Sequence, residues 1–262
     1  MTARRATSPG SAPERGEPVR GESEIAPPPW QRLPERRGRR RSEPISRDAI
    51  VTAAIDLMDS EGLAALSMRR LAEQFDTGAA SLYWHVGSKD GLLDLVLDRL
   101  IAEVPVPEPE PARWPEQIRE LARGQREVSL RHPYLIRISF GRVPLGPGAL
   151  RLSEGVLAIL RAGGLPPKLA VQGYLLLIAT VNGFTMDETG VEDAAVAGQP
   201  DATAIQEAAN MVRDYIGSLP PERYPNMVGM AGQFAIADGD ERFEMLLEIF
   251  TDGLARRAAH QD

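Results

Sequence analysis

The chain has 262 residues, of which 43% are hydrophobic, and it carries a formal net charge of −7. This length allows one large domain or two smaller ones, and the negative balance argues against a protein that coats nucleic acid along its whole surface. Because cysteine is absent, disulfides, thiolate zinc sites and cysteine nucleophiles are excluded. His85, His132 and His260 lie far apart in sequence, so we expect no metal site and no cofactor.

Charge is unevenly distributed along the chain. Residues 1–48 hold 11 basic and 7 acidic residues, whereas the remainder holds 19 basic and 30 acidic ones. A basic amino-terminal part ahead of an acidic body predicts that a polyanion would bind near the front. No apolar run approaches the roughly 18 residues of a membrane span, and no signal peptide is visible. We therefore expect a cytoplasmic protein without a membrane partner.

Residues 1–44 are rich in Pro, Gly, Ser, Arg and Glu and contain few apolar residues. Such a stretch buries too little surface to offset its ordering entropy, so we predict a disordered basic extension. It ends in the arginine-rich run from Arg36 to Arg41. This run is either a solvated charge cluster or an arm that contacts phosphate or the minor groove, and the sequence leaves both interpretations open.

Helical periodicity begins after residue 45. Ser46, Ser67 and Ser88 are each placed to cap a helix, with Gly62 ending the first of these helices. A glycine-containing turn at residues 76–79 separates the second helix from a third, and the fourth extends from residue 90 to about residue 102. The proline- and acid-rich stretch 104–111 breaks this pattern and predicts a domain boundary after residue 103.

The remaining sequence also predicts helices, at about residues 114–131, 149–162, 167–187, 203–216 and 240–259. A further short helix follows His132-Pro133 and ends at residue 140, and residues 188–201 form a loose acidic segment. Strand patterns and internal repeats are not visible, so we predict an all-α protein. It would consist of a three-helix helix-turn-helix DNA-binding domain at 45–103 and a helical-bundle ligand-binding and dimerisation domain at 104–262. The helix at 167–187 is apolar nearly all round, and the helix at 240–259 adds a further set of large apolar residues. This favours a homodimer interface, with a purely internal core as the alternative.

The three short amino-terminal helices with their turn fit a helix-turn-helix. Small residues at the start of the third helix allow close approach to base edges, and polar groups at its end can contact phosphates. The predicted DNA contacts are Ser67, Arg69, Arg70, Thr77, Gly78, Ala79, Ser81, Tyr83, Trp84, His85 and Lys89. Helix-turn-helix geometry also occurs in proteins that bind no DNA, so periodicity alone leaves that alternative open.

Residues 46–100 resemble the TetR family of bacterial repressors. The resemblance is carried by the runs 50–57 and 66–72, by Gly62, by the run Ala-Ser-Leu-Tyr-Trp-His-Val at 80–86, and by Lys89 and Leu92-Leu93. It implies base contacts from Arg69 and the start of the third helix, and phosphate contacts from Tyr83, His85 and Lys89. The Leu-Tyr-Trp-His-Val run is closest to the tetracycline repressor branch.

One position departs from that branch. Ala79 stands where the tetracycline repressor has a base-reading glutamine. Alanine can touch a thymine methyl group but cannot make a bidentate pair with adenine. We therefore expect a different operator sequence.

The resemblance is weaker beyond residue 111, where Trp114, Gly141 and Pro144 match. In the tetracycline repressor this region encloses a drug with magnesium, but Ser139 replaces a metal-ligating histidine here, which argues against a magnesium site. The predicted ligand-binding residues are Leu121, Gln125, Ser139, Arg142, Gly155, Asn182 and Phe184. This mixture suits a mostly apolar small molecule with a few polar groups, and Arg142 would either pair a carboxylate or cap a helix end.

These features predict a ligand-responsive transcriptional repressor. It would bind a palindromic double-stranded operator as a homodimer and be released by a small-molecule effector. The alternative is a DNA-binding regulator or architectural protein without a ligand. An enzyme is disfavoured, because a Ser-His-Asp order, a glycine-rich phosphate loop and a metal-spaced carboxylate pair are not visible.

Overall fold

The computed structural model describes residues 45–195, 202–234 and 239–260, and this part of the chain is helical without a strand. The helices are α1 (Arg47–Glu61), α2 (Met68–Glu73), α3 (Ala79–Val86), α4 (Lys89–Ile101), α5 (Trp114–Arg131), α6 (Tyr134–Ser139), α7 (Pro147–Ala162), α8 (Pro167–Ala195), α9 (Ala202–Gly217), α10 (Pro225–Gly229) and α11 (Gly239–Ala259). They confirm the all-α prediction. The predicted extension 1–44, with Arg36 to Arg41, lies outside the described residues.

Serine caps define the starts of the amino-terminal helices. Ser46, Ser67 and Ser88 each accept a hydrogen bond from the backbone N–H three residues later, at 2.9 to 3.2 Å. Each bond satisfies a donor that a helix start leaves unpaired. Gly62 ends α1 with φ at 80°, in the region that favours glycine. The caps confirm the predicted helix starts.

The four amino-terminal helices share one buried core. Ile50, Leu71, Leu82 and Leu92 come from α1, α2, α3 and α4 respectively, and each is fully buried. Helix α4 packs against α1 and α3 on one side and against α6 and α7 on the other. The position of α4 therefore affects both the amino-terminal helices and the bundle.

Helices α5, α7, α8 and α11 form the main bundle, with α5 in contact with the other three. Close approach at the start of α5 depends on Gly163, because a Cβ there would lie 2.4 Å from the indole ring of Trp114. Fully buried Ile118 and Phe243 fill the centre. A substitution at Gly163 would force α5 and α7 apart.

Helix α8 extends eight residues beyond the predicted end at residue 187, so the prediction of a loose segment from 188 was wrong for its first part. Thr185 and Thr189 donate hydrogen bonds at 2.9 Å to backbone carbonyls one turn back. Glu188 accepts two hydrogen bonds from Arg126, which hold this part of α8 against α5. Helix α10 was not predicted, because five residues are too few to show a period.

The segment Pro167–Thr189 of α8 is long and apolar enough to span a membrane, with a mean hydropathy of 1.4 over its most apolar 18 residues. This corrects the expectation that the sequence contains no such run. One third of that window is buried, and the helix packs on α5, α6, α7 and α11. Length and composition alone are weak grounds for a membrane span, since a bundle helix passes the same test.

Candidate nucleic-acid interface and ligand cavity

Helices α2 and α3 present an exposed polar and aromatic surface. The Arg69 side chain is 90% exposed, and Tyr83 and Trp84 are 44% and 56% exposed. Ser67 and Gly78 are also exposed, at the starts of the two helices. Large exposed aromatic side chains beside an arginine are suited to contacts with phosphates, sugars and base edges.

The start of α3 is shaped by a small polar cap. Thr77 Oγ1 donates to Ser81 Oγ over 2.9 Å, and Gly78 has open space where a side chain would stand. Ala79 is half-buried against the core, whereas Ala80 is exposed. Ala79 stands three residues before buried Leu82 and is only partly accessible, so its contact with DNA stays a prediction. The methyl group that α3 exposes at its start is that of Ala80.

Three of the predicted contact residues also hold the amino-terminal helices together. Lys89 Nζ donates to the Leu66 carbonyl over 2.7 Å, and Arg70 pairs with Glu61 of α1. His85 is half-buried, and its carbonyl accepts a hydrogen bond from the Arg47 side chain. Ammonium and guanidinium groups carry three and five N–H donors, so these internal bonds leave donors for phosphates.

A cavity of about 170 Å³ lies between α4, α5, α6, α7 and α8. Its lining is mostly apolar, with Leu97 and Ile101 of α4 among the contributing residues. The polar lining residues are Gln125, Ser139, Arg142, Ser153, Tyr174 and Asn182. Few polar groups on an apolar wall suit a mostly apolar small molecule held in one orientation.

The cavity contains five of the seven predicted ligand-binding residues: Leu121, Gln125, Ser139, Arg142 and Asn182. Gly155 and Phe184 lie outside its lining, which corrects those two predictions. A Cβ at Gly155 would lie 2.1 Å from Val106, so this glycine faces the segment between α4 and α5. Phe184 packs on Phe243 of α11, with ring centroids 5.1 Å apart.

Two polar groups in the cavity wall are set to accept hydrogen bonds. Gln125 Oε1 is buried and has no hydrogen-bond partner among the described residues. Ser153 Oγ donates to the Ala149 carbonyl over 2.8 Å, so the 2.6 Å contact with Tyr174 requires Tyr174 to donate to Ser153. The Tyr174 oxygen therefore keeps its lone pairs for a further donor. Sequence reasoning missed Ser153 and Tyr174, because Tyr174 was counted among the apolar residues of its helix.

Helix α4 is bound to the cavity walls by charged groups. Arg142 Nη1 and Nη2 lie 2.6 Å from Asp94 Oδ1 and Asp90 Oδ1. Burial lowers the pKa of Arg142, but the hydrogen bonds to the two aspartates outweigh burial and raise it above its ordinary value. At the other end, Arg151 of α7 donates to the carbonyls of Ala102 and Val104, both at 2.8 Å. Sequence reasoning missed this attachment.

A second attachment joins α1 to the start of α6. Asp59 Oδ1 lies 2.7 Å from His132 Nδ1 and accepts a hydrogen bond from the Tyr134 hydroxyl over 2.8 Å. Burial, followed by the Asp59 carboxylate, raises the pKa of Tyr134 far above its ordinary value. Tyr134 therefore remains a donor at every physiological pH.

Helices α5, α8 and α11 are joined through Arg126. Its guanidinium makes two hydrogen bonds to Glu188, at 2.7 and 2.8 Å, pairs with Asp240 at 2.7 Å, and lies 4.8 Å from the Phe243 ring centroid. The side chains of Arg126 and Glu188 are 15% and 17% exposed. The carboxylates raise the pKa of Arg126 above its ordinary value, so the pair stays charged.

A cluster of three or more His, Asp or Glu side chains able to hold a metal ion does not occur within residues 45–195, 202–234 and 239–260. The polar groups of the cavity are instead two amides, three hydroxyls and an arginine. Those groups suit an organic ligand better than a hard cation, which prefers several carboxylate or carbonyl oxygens.

Comparisons with known proteins agree with this geometry. The sequence profile of the bacterial regulatory proteins of the tetR family matches residues 50–96, and that of the tetracyclin repressor-like carboxy-terminal domain matches residues 106–258. An HTH-type transcriptional regulator of Saccharopolyspora erythraea is 41% identical over 136 residues, covering 52% of this chain and 56% of that protein. The HTH-type transcriptional repressor DrrR1 of Streptomyces coeruleorubidus is 33% identical, covering 80% of this chain and 77% of that protein.

Solved structures give the same result. Apo ActR of Streptomyces coelicolor is 41% identical, with a TM-score of 0.76, and covers 85% of this chain and 100% of its own. ActR in complex with actinorhodin is 43% identical, with a TM-score of 0.75, and covers 82% of this chain and 99% of its own. The chain therefore belongs to the TetR family of DNA-binding transcriptional regulators and is not an enzyme.

Proposed function

We propose that this protein is a cytoplasmic repressor that binds a two-fold symmetric operator as a homodimer and is released by a small, mostly apolar molecule in the α4–α8 cavity. The observation that carries the proposal is the cavity itself. It is enclosed by helices of the bundle, yet two of its lining residues, Leu97 and Ile101, belong to the helix that follows the helix-turn-helix. A molecule in the cavity therefore touches the element that positions α3.

The proposed dimer interface is an exposed apolar face on α8 and α11. Val171, Leu175 and Ile178 follow one another at four- and three-residue spacing on α8, and Met245 and Ile249 lie four residues apart on α11. These side chains are 38% to 67% exposed, which is unfavourable for a contiguous apolar surface in water. The two helices pack on each other, so their faces can join two copies related by a two-fold axis.

The polar groups of the cavity indicate what the ligand offers. Gln125 Oε1 and the Tyr174 hydroxyl oxygen are acceptors, so the bound molecule should present hydroxyl or N–H donors to α5 and α8. Actinorhodin and (S)-DNPA, which occur in complexes of the related ActR, are suitable first probes.

Selection from a random duplex library, using the full chain, tests the DNA-binding part of this proposal. We expect a two-fold symmetric consensus with half-sites about one helical turn apart. Titrating actinorhodin and (S)-DNPA into the complex of the protein with the selected duplex then tests release. We expect a bound ligand to lower operator affinity about 10-fold or more, the scale of an ordinary allosteric coupling. An asymmetric consensus would contradict the dimer, and operator binding indifferent to every cavity ligand would favour the regulator without an effector.

A further inference from the structure

Arg142 lies between the cavity and α4. It lines the cavity together with Ser139, and its guanidinium makes three hydrogen bonds to α4. Two go to the carboxylates of Asp90 and Asp94 at 2.6 Å, and the third goes to the Asp90 carbonyl at 3.2 Å. The side chains of Arg142 and Asp94 are each 21% exposed, so this pair is well shielded from water. One side chain thus contacts both the ligand space and the helix that follows α3.

The carboxylates on α4 form a row. Asp90, Asp94 and Asp98 are four residues apart and therefore lie on one face of the helix. Asp98 accepts a hydrogen bond from the backbone N–H of Ala149 at 2.9 Å, at the start of α7. That donor belongs to the backbone at the start of α7, whereas Arg142 offers a long, flexible side chain that can turn toward the cavity. Of the two attachments, the one at Asp90 and Asp94 is the easier to exchange.

Breaking the hydrogen bond between Arg142 and Asp90 would free the first turn of α4, which lies close to the DNA-binding helices. Helix α3 ends at Val86 and α4 begins at Lys89, so only two residues separate them. The Lys89 ammonium is bonded to the Leu66 carbonyl just before α2. A shift of the first turn of α4 would therefore reach both helices of the helix-turn-helix.

We propose that Arg142 couples the cavity to the helix-turn-helix, because a bound molecule with a hydrogen-bond acceptor competes with Asp90 and Asp94 for its guanidinium. This inference rests on the proposed function as a ligand-responsive repressor and adds a requirement to it. The ligand carries an acceptor oxygen, such as a carbonyl or phenolate, at the α6 end of the cavity, besides donors for Gln125. A guanidinium drawn toward that oxygen moves away from Asp90 and Asp94, which weakens its hydrogen bonds to α4.

The double variant Asp90→Asn with Asp94→Asn tests the competition, since it keeps the shape of both side chains and removes their charges. Actinorhodin affinity in the absence of DNA should rise several-fold, because carboxylates no longer compete for Arg142. The factor by which actinorhodin weakens operator binding should fall toward one. This factor is a ratio, so a general gain in DNA affinity from the lost negative charge cancels out of it.

A matched control is Asp56→Asn with Asp76→Asn. It removes two charges from the amino-terminal part, one on α1 and one in the turn between α2 and α3, at exposed residues that do not contact Arg142. We expect this control to keep the wild-type ligand affinity and the wild-type factor. Arg142→Lys provides a second variant, because a lysine ammonium cannot bind both carboxylates as the planar guanidinium does. It should lower the factor only in part.

The outcomes separate the two proposals. If the wild-type protein binds actinorhodin and releases operator, but the Asp90/Asp94 variant keeps both wild-type values, the role of Arg142 is overturned while ligand-responsive repression stands. If actinorhodin weakens operator binding less in the Asp90/Asp94 variant while its own affinity is unchanged, the proposed competition for Arg142 is also overturned. The Arg142 hydrogen bonds would then have a structural role only. A wild-type protein that shows no release with actinorhodin or (S)-DNPA would overturn both proposals.

Discussion

The amino-terminal helices α1–α4 and the α4–α8 cavity use polar side chains in opposite ways. On the helix-turn-helix, Arg69, Tyr83 and Trp84 are exposed, so their polar groups are open to water. In the cavity, Gln125 Oε1 is buried and has no hydrogen-bond partner among the described residues, so a donor group on a ligand can bind it. The polar groups of the DNA-binding surface are thus open to water, whereas those of the cavity are shielded and suited to one kind of ligand.

The largest effect should come from breaking a buried polar contact. Arg126→Met should lower the free energy of unfolding by about 3–5 kcal/mol, because Glu188 loses its bidentate partner while it is only 17% exposed. Urea unfolding measures this change. The matched control is Arg113→Met, since Arg113 pairs with Glu110 and Glu120 but is 51% exposed, and it should cost less than about 1 kcal/mol. Equal losses in the two variants would contradict the contrast between buried and exposed groups.

The next effect concerns the exposed surface. Tyr83→Ala with Lys89→Ala should weaken binding to operator and to unrelated DNA alike, because both side chains are assigned to phosphates. The slope of log affinity against log salt should flatten by about one, the share of one lysine. Fluorescence anisotropy across a salt series measures both quantities. Lys168→Ala removes the other lysine of the chain, which is exposed in the first turn of α8, and should change neither quantity. An unchanged slope in the double variant would show that the phosphate assignment is wrong.

A smaller effect, with two opposite signs, is expected at Gln125. Gln125→Leu removes the unpartnered acceptor, so the empty protein should gain about 1 kcal/mol of stability. The same change should weaken actinorhodin binding, because the ligand loses a hydrogen bond. Urea unfolding and ligand titration test the two signs separately. Gln233→Leu, at an exposed glutamine outside the cavity, serves as control, and a loss of both stability and affinity at Gln125 would count against the account.

The smallest effect is a pH dependence at the surface of α5 and α11. Hydrogen bonds from Arg123 lower the pKa of Glu116 and of Glu244 below the ordinary 4.5. Their stabilising contribution is therefore complete above pH 4.5 and is lost as pH falls through the lowered values. Because these side chains are about 40% exposed, each contribution should stay below about 1 kcal/mol. Glu244→Gln should reduce the loss of stability between pH 5 and pH 3, as measured by urea unfolding. An unchanged pH profile of stability would show that the Arg123–Glu244 pair does not contribute to it.

Local chemistry made much of the fold predictable. The caps at Ser46, Ser67 and Ser88 depend on residues three positions away, and α5 was predicted with its observed bounds because Pro115 and His132-Pro133 mark its ends. The partial burial of Ala79 was also predictable, since it stands three residues before Leu82 on the inner face of α3. What remained hidden depends on distant parts of the chain.

The cavity shows this limit most clearly. Its lining joins α4 to α8, so whether Gly155 faces ligand or Val106 depends on how whole helices pack. The Arg142 pairs span 48 and 52 residues, and one sequence gives no signal for which of many arginines meets which of many aspartates. The continuation of α8 past residue 187 likewise involves a partner on another helix, because Arg126 of α5 binds Glu188.

The measurement that tests the central claim most directly is ligand affinity with and without operator. If cavity and DNA-binding surface are coupled, saturating operator must weaken actinorhodin binding by the same factor by which actinorhodin weakens operator binding, since equilibrium coupling is reciprocal. Calorimetric titration of the full chain, free and bound to the selected duplex, gives that factor. We expect equal factors well above one. Actinorhodin affinity that operator leaves unchanged would contradict the coupling of cavity and DNA-binding surface.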